Sequence, residues 1–138
     1  VNDRADIAIA ANADGVHLGQ EDIPTDLARM ILGSDMLIGR SARTAEQVQL
    51  AEQEGCDYLG IGPINQSNTK KKLNPIGIDY IKQISKTTQL PWFAIGGINS
   101  LNLIEVINAG ADRVAVSEAI MKAEDPGKCS KYLIEAIQ

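Results

Sequence analysis

Short apolar runs recur along the chain, each ending in glycine or a small polar residue: GVHLG at 15–19, LIGRS at 37–41, YLGIG at 58–62, WFAIGG at 92–97 and RVAVS at 113–117. Runs of this length, rich in β-branched and aromatic residues, read as strands. Between them lie segments with apolar residues at helical spacing. Residues 44–54 open on Thr44 and Gln47, the pattern of a capping box. Residues 100–109 place Leu101, Ile104 and Ile107 on one face, with Gly110 as the stop. A closing helix is predicted over 126–137, with Tyr132, Leu133 and Ile137 available for packing. Continuously apolar strands alternating with helices belong to a parallel sheet covered by helices, so the fold class is α/β.

The spacing chooses among α/β folds. Strand centres near Val16, Ile38, Gly60, Ala94 and Ala115 advance by about 22 residues, with one longer step, and eight such units would need about 220 residues, within the range of a (β/α)8 TIM barrel. The reading is therefore a barrel fragment holding roughly strands 4–8 and, at Val1, the end of strand 3. Residues 1–138 would be a single partial domain lacking its N-terminal β/α units. No G-x-G-x-x-G follows a strand, which removes the main signal for an open dinucleotide-binding sheet.

Composition narrows the partners. An apolar content of 44% with 22% charged residues is that of an ordinary globular chain. A net charge of −5 argues against nucleic acid and anionic membranes as partners, since both demand a basic face. No apolar stretch approaches the roughly 20 residues that span a bilayer, and the start lacks the layout of a signal peptide, so a cytoplasmic setting is expected. Cys56 and Cys129 have no metal or redox spacing and read as buried or half-buried thiols.

In a parallel barrel the βα loops emerge at the C-terminal ends of the strands, and function gathers there. Asn2, Asp3, Gln20, Glu21, Asp22, Ser41, the loop 62–72, Gly96, Gly97, Ser117 and Glu118 all fall at such ends. Asp3 and Asp22 are candidate Mg2+ ligands, because magnesium takes one or two carboxylates and completes its octahedron with water and phosphate. The alternative, with Asp22 opening a turn before Pro24 and Asp3 capping the next helix, stays open. Lys70, Lys71 and Lys72 form a local basic run in an acidic chain; Lys70 follows the hydroxyls of Ser67 and Thr69, whereas Lys71 and Lys72 read as solvated. Gly97 lets backbone approach a ligand, and Ser117 with Glu118 would start a short helix whose N–H groups can meet phosphate. His17, the only histidine, is a candidate general base, but flanked by Val16 and Leu18 it reads first as a packed strand residue hydrogen-bonded to a neighbour. No nucleophile with a base beside it is visible, so covalent catalysis is disfavoured.

At these residues the chain resembles the thiamine-phosphate synthase family. The resemblance rests on VNDR at the start, ADGVHLGQED at 13–22, IGRS at 38–41, DYLGIGPI followed by SNTKK, AIGGI at 94–98 and AGADRVAV at 109–116, in family order. It implies a Mg2+-dependent transferase of thiamine biosynthesis. Such an enzyme joins hydroxymethylpyrimidine diphosphate to hydroxyethylthiazole phosphate, giving thiamine phosphate and pyrophosphate, with no protein nucleophile. By motif, Asp3 and Asp22 would hold Mg2+, Asn2 and Lys70 would contact the diphosphate, and Ser41 would lie by the pyrimidine. Ser67, Asn68 and Thr69 would receive the thiazole phosphate, and Gly97 with the backbone of Ser117 and Glu118 would complete its phosphate site.

The chain departs from the family pattern in three places. Ser67-Asn68-Thr69 stands for Thr-Pro-Thr or Thr-Glu-Thr, keeping both hydroxyls; Glu118 brings a carboxylate to a phosphate site; and the family's early Gln/Arg/Lys cluster is absent. An isolated piece of this kind is expected to be inactive and, with open sheet edges, to associate, the homo-oligomer being one form of that. The alternative function is a non-catalytic, regulatory or thiazole-tautomerase-like relative on the same barrel, which would be expected to lack the 67–70 loop and the paired aspartates. A sugar-phosphate isomerase would need an acid–base pair that the strand ends do not display.

Overall fold

The computed structural model describes residues 1–66, 73–84 and 86–138. Among the described residues the chain forms five strands. The chain divides into two compact units, Val1–Gly60 with Thr88–Trp92, and Ile61–Thr87 with Phe93–Gln138.

The first unit runs α1 (Ala5–Ala10), β1 (Gly15–Leu18), α2 (Thr25–Leu32), β2 (Leu37–Ala42), α3 (Ala45–Gln53) and β3 (Tyr58–Ile61), the last residue of β3 passing to the second unit. β1 and β2 pair in parallel, with His17 opposite Gly39. Residues 1–3 lie along the other edge of β1: the N–H of His17 donates to Val1 O at 2.9 Å and that of Asp3 to His17 O at 2.8 Å. Asn2 thus forms an isolated parallel bridge with His17.

Alternation along β1 turns Val16 and Leu18 to one face, where they are buried with Ala8, Ala28 and Ile38, and His17 to the other. Burying Val16, Leu18 and Ile38 there contributes about 1.5–3 kcal/mol each. α1, expected only as the helix that Asp3 would cap, has a weak apolar pattern: its buried positions are only the small Ala5 and Ala8, while Ile7 and Ile9 are about half exposed. The capping box of α3 forms in a displaced version. Thr44 Oγ1 accepts from the N–H of Gln47 at 3.3 Å, but Gln47 Oε1 reaches back to the N–H of Arg43 at 2.7 Å.

The second unit holds α4 (Ile78–Ile84), most of β4 (Trp92–Ile95), α5 (Leu103–Asn108), β5 (Val114–Ala115), α6 (Glu118–Met121) and α7 (Pro126–Ile137). β4 and β5 are parallel, with Ala94 opposite Val114. The predicted inner face of the helix after β4 is corrected. Leu103, Val106 and Ala109 are buried, whereas Leu101 is 95% exposed and Ile104 is 50% exposed. Asn99 and Asn102 cause the change: Asn99 Oδ1 accepts from Leu101 N–H and Asn102 Oδ1 from Asn99 N–H, both at 2.9 Å. That turn consumes the residues expected to begin the helix, which starts later and in another phase. α7 lies where it was expected, opened by Pro126 with Asp125 Oδ1 accepting from Lys128 N–H at 2.9 Å. Of its three predicted packing residues only Leu133 is buried.

Candidate active site

In the first unit the candidate residues meet at the C-terminal end of β1. Asp3 follows the bridge between Asn2 and His17 and takes a left-handed φ of 64°. It does not cap α1, whose N-cap is Arg4. Asp22 does close a turn: its Oδ2 accepts from the N–H of Gly19 at 2.6 Å, and its own N–H donates to Gly19 O at 3.3 Å. The turn and the metal-ligand readings of Asp22 are compatible, because one carboxylate oxygen suffices for the turn. Asp3 and Asp22 are therefore tied by backbone hydrogen bonds to His17 and Gly19, two positions apart on one strand end. Two carboxylates on a strand end suit Mg2+, a hard cation that keeps several waters and accepts phosphate oxygens. Among the described residues no group of three or more His, Cys, Asp or Glu side chains could hold a metal.

The loop between β1 and α2 is anchored from behind. Arg40, buried on β2, donates from Nη1 to Ile23 O at 2.9 Å. Gln20 Nε2 donates to Ser41 O at 2.6 Å, fastening the loop to the end of β2.

Ser41 corrects one expectation. Its Oγ lies 2.9 Å from Nε2 of His17, so a serine and a histidine that are 24 residues apart do form a pair. Nδ1 of His17 lies 3.2 Å from the hydroxyl of Tyr58, and the two rings sit 5.5 Å apart, tilted by 38°. Residue 39 makes this approach possible, because a Cβ there would stand 2.1 Å from Cζ of Tyr58. Burial pushes the Tyr58 phenol up from its ordinary value. The pair is not a covalent-catalysis triad: the group on Nδ1 is a phenol, not the carboxylate that stabilises an imidazolium. His17 is packed within its strand and hydrogen-bonded to neighbours, as expected. A cavity of about 600 Å³ adjoins these rings, lined by Asn2, Val16, His17, Leu37 and Tyr58 among others.

In the second unit Ile61, the last residue of β3, is followed by Gly62 and the cis-linked Pro63. The N–H groups of Ile64 and Asn65 then donate to Ile95 O at 2.8 Å and Gly96 O at 3.1 Å, laying this segment along the end of β4. Gly96 and Gly97 both have positive φ, 92° and 65°, and a Cβ on Gly97 would come 2.4 Å from Gln66 O. The carbonyl of Gly97 accepts from Asn102 Nδ2 at 2.9 Å, which fixes the plane of the following peptide. Ser117 precedes α6, as expected, and Glu118 opens it. The Glu118 carboxylate turns to the Lys122 ammonium one turn on, so its charge is paired. Ser67, Asn68, Thr69 and Lys70 lie outside the described residues.

A family model described as thiamine monophosphate synthase matches residues 1–120. The chain belongs to the thiamine monophosphate synthase family. The thiamine-phosphate synthase of Prochlorococcus marinus (strain MIT 9303) is 58% identical over all 138 residues, which are 39% of that protein's length. That of Synechococcus sp. (strain WH7803) is 48% identical over 137 residues, covering 99% of this chain and 39% of its own. Among solved structures, thiamine phosphate pyrophosphorylase from Pyrococcus furiosus superposes with a TM-score of 0.91 at 39% identity, covering 99% of this chain and 65% of that one. The chain thus spans about two fifths of the length of these curated family members. These matches do not support the expectation that it is the family's C-terminal portion.

Tyr58, Gly39, Asn99 and Asn102 were not among the candidates, although the regular 22-residue spacing of His17 and Gly39 was an available sign that the two share a level in the sheet. Among the described residues no helix is long and apolar enough to cross a membrane.

Proposed function

We propose that this chain supplies strand-end binding residues of a transferase that joins hydroxymethylpyrimidine diphosphate to hydroxyethylthiazole phosphate, releasing pyrophosphate and forming thiamine phosphate. The observation that carries the reading is the family match over residues 1–120, in a chain whose Asp3 and Asp22 are both tied to the end of β1.

The chemistry asks little covalent work of the protein. The bond between the pyrimidine's methylene carbon and the diphosphate oxygen breaks, its electron pair leaving with pyrophosphate, and the thiazole nitrogen's lone pair forms the new C–N bond. Asp3 and Asp22 would hold Mg2+, which when bound offsets the charge of the departing pyrophosphate. Asn2 and Lys70 act on the same group, the lysine as a point charge and the amide as a donor, and these are the residues we assign to catalysis. Ser41 orients the pyrimidine ring. Ser67, Asn68, Thr69, Gly97 and the backbone of Ser117 and Glu118 receive the thiazole phosphate, the Glu118 carboxylate being held by Lys122. Holding both substrates in line contributes through orientation, worth several kcal/mol for well-placed reactants.

We further place this chemistry on a (β/α)8 barrel of which the chain forms five units, and in a cytoplasmic setting. The full-length protein with both substrates and Mg2+ is expected to form thiamine phosphate, read as fluorescent thiochrome after oxidation. Absence of product with both substrates saturating would sink the reading.

A further inference from the structure

We propose that Tyr58 is a positioning residue that acts through His17 to fix the direction of the Ser41 hydroxyl. The inference rests on the reading of Ser41 as a pyrimidine contact and extends it to two residues that do not themselves touch substrate.

Three side chains from three strands form one line: the Tyr58 hydroxyl on β3 is 3.2 Å from His17 Nδ1 on β1, and His17 Nε2 is 2.9 Å from Ser41 Oγ on β2. β2 lies between the other two strands, so a phenol from β3 can reach β1 only by crossing it. It crosses at Gly39, the residue paired with His17, where any Cβ would collide with the ring. Gly39 and Ser41, two apart on β2, share a face, which is the face that His17 presents.

The direction of the line follows from donor and acceptor strengths. A neutral imidazole offers one N–H and one lone pair, and the partner of one nitrogen decides which is which. A phenol donates far more readily than it accepts, and an imidazole nitrogen is a strong acceptor, so the Tyr58 O–H donates to Nδ1. The ring proton is then on Nε2 and donates to Ser41 Oγ. With its oxygen receiving that bond, the Ser41 hydroxyl is left to donate its own proton outward, which suits an acceptor nitrogen of a heteroaromatic ring. Tyr58 thus acts as a latch for Ser41.

The test uses the full-length protein with Tyr58→Phe, Ser41→Ala and the double variant. Tyr58→Phe keeps the ring over Gly39 and removes only the hydroxyl. It is expected to lower kcat/KM for the pyrimidine diphosphate about tenfold, the scale of one lost hydrogen bond, with KM for the thiazole phosphate unchanged. In the Ser41→Ala background the same change should produce no further loss, since the two act in series. Independently of activity, the His17 side-chain nitrogens should show the Nε2–H tautomer by 15N NMR, and Tyr58→Phe should shift them. Additive losses, or ring-nitrogen shifts untouched by Tyr58→Phe, would overturn the latch. A Ser41→Ala variant with normal kinetics would overturn the placing of Ser41 as well. If no thiamine phosphate forms at all, the functional reading fails, while the nitrogen shifts still decide the hydrogen-bonded line.

Discussion

Tyr58 occupies the space that a side chain on Gly39 would need: a Cβ at residue 39 would lie 2.1 Å from its Cζ and 2.5 Å from its hydroxyl oxygen. Gly39→Ala must therefore push the ring aside, breaking its contact with His17. The expected loss of stability is about 1–3 kcal/mol, the range for overpacking a filled site. Urea denaturation measures it. Because the missing space is the ring's, Gly39→Ala combined with Tyr58→Ala should be less destabilised than the sum of the two single changes.

A second prediction concerns the clamp behind the sheet. Arg29 donates to Met36 O at 2.6 Å and Gly33 O at 3.0 Å, and meets Asp57 at 2.5 Å. Asp57 Oδ2 also accepts from the N–H of Ile38 at 2.6 Å. Asp57→Ala would remove the acceptor of a backbone donor within β2 as well as the partner of a half-buried guanidinium. A loss of about 1–3 kcal/mol is expected, more than an exposed ion pair would give. Asp57→Asn keeps an acceptor in place and should lose less. Equal midpoints for wild type and Asp57→Ala would contradict this account.

The turn after β4 yields a third. Asn102 holds the carbonyl of Gly97, and Gly97 itself has no room for a Cβ beside Gln66 O. On the proposed function, Gly97→Ala should raise KM for the thiazole phosphate by about tenfold or more, as the backbone can no longer approach the phosphate. Asn102→Ala should do the same more weakly, and neither should alter KM for the pyrimidine diphosphate. Steady-state kinetics with one substrate varied at a time separates these outcomes.

A fourth divides the lysine run and tests the metal ligands. In the full-length protein Lys70→Ala and Asp22→Ala are each expected to reduce synthase turnover by about a hundredfold, the scale of losing a group aimed at developing charge. Lys72→Ala should change it little. Near-normal rates for the first two variants would remove Lys70 and Asp22 from the proposed machinery.

The strands were legible because each is a short, continuously apolar run ending in glycine or a small polar residue, and their chain order follows from the helices between them. The strand-end candidates were legible for the same reason, since parallel connection puts Asp3, Asp22, Ser41 and Gly97 at one kind of end. Pairings across strands were not. That His17 meets Ser41 depends on a register in which His17 faces Gly39, and that it meets Tyr58 depends on the absence of a Cβ at that position. The helix phase after β4 failed for a different cause: the side chains of Asn99 and Asn102 compete with the helix for backbone N–H groups, and periodicity alone does not weigh that.

The two cysteines should separate by reactivity. Cys56 is buried in the first unit, and that burial, with Asp57 and Glu52 nearby, pushes its thiol up to about 11. Cys129 is half-buried, its sulfur 3.6 Å from Ala119 O. Since the thiolate is the reacting species, iodoacetamide at pH 8 should label Cys129 in the native protein and reach Cys56 only on unfolding. Peptide mapping by mass spectrometry reads both sites. The same shift ties stability to pH. The folded state binds the Cys56 proton more tightly than the unfolded state, so this contribution is fully present below about 9, the ordinary thiol value, and declines as pH rises towards about 11. Cys56→Ala removes the titrating group, so its stability curve should fall less steeply across that window than the wild-type curve. Parallel curves would mean that Cys56 does not carry this part of the pH dependence.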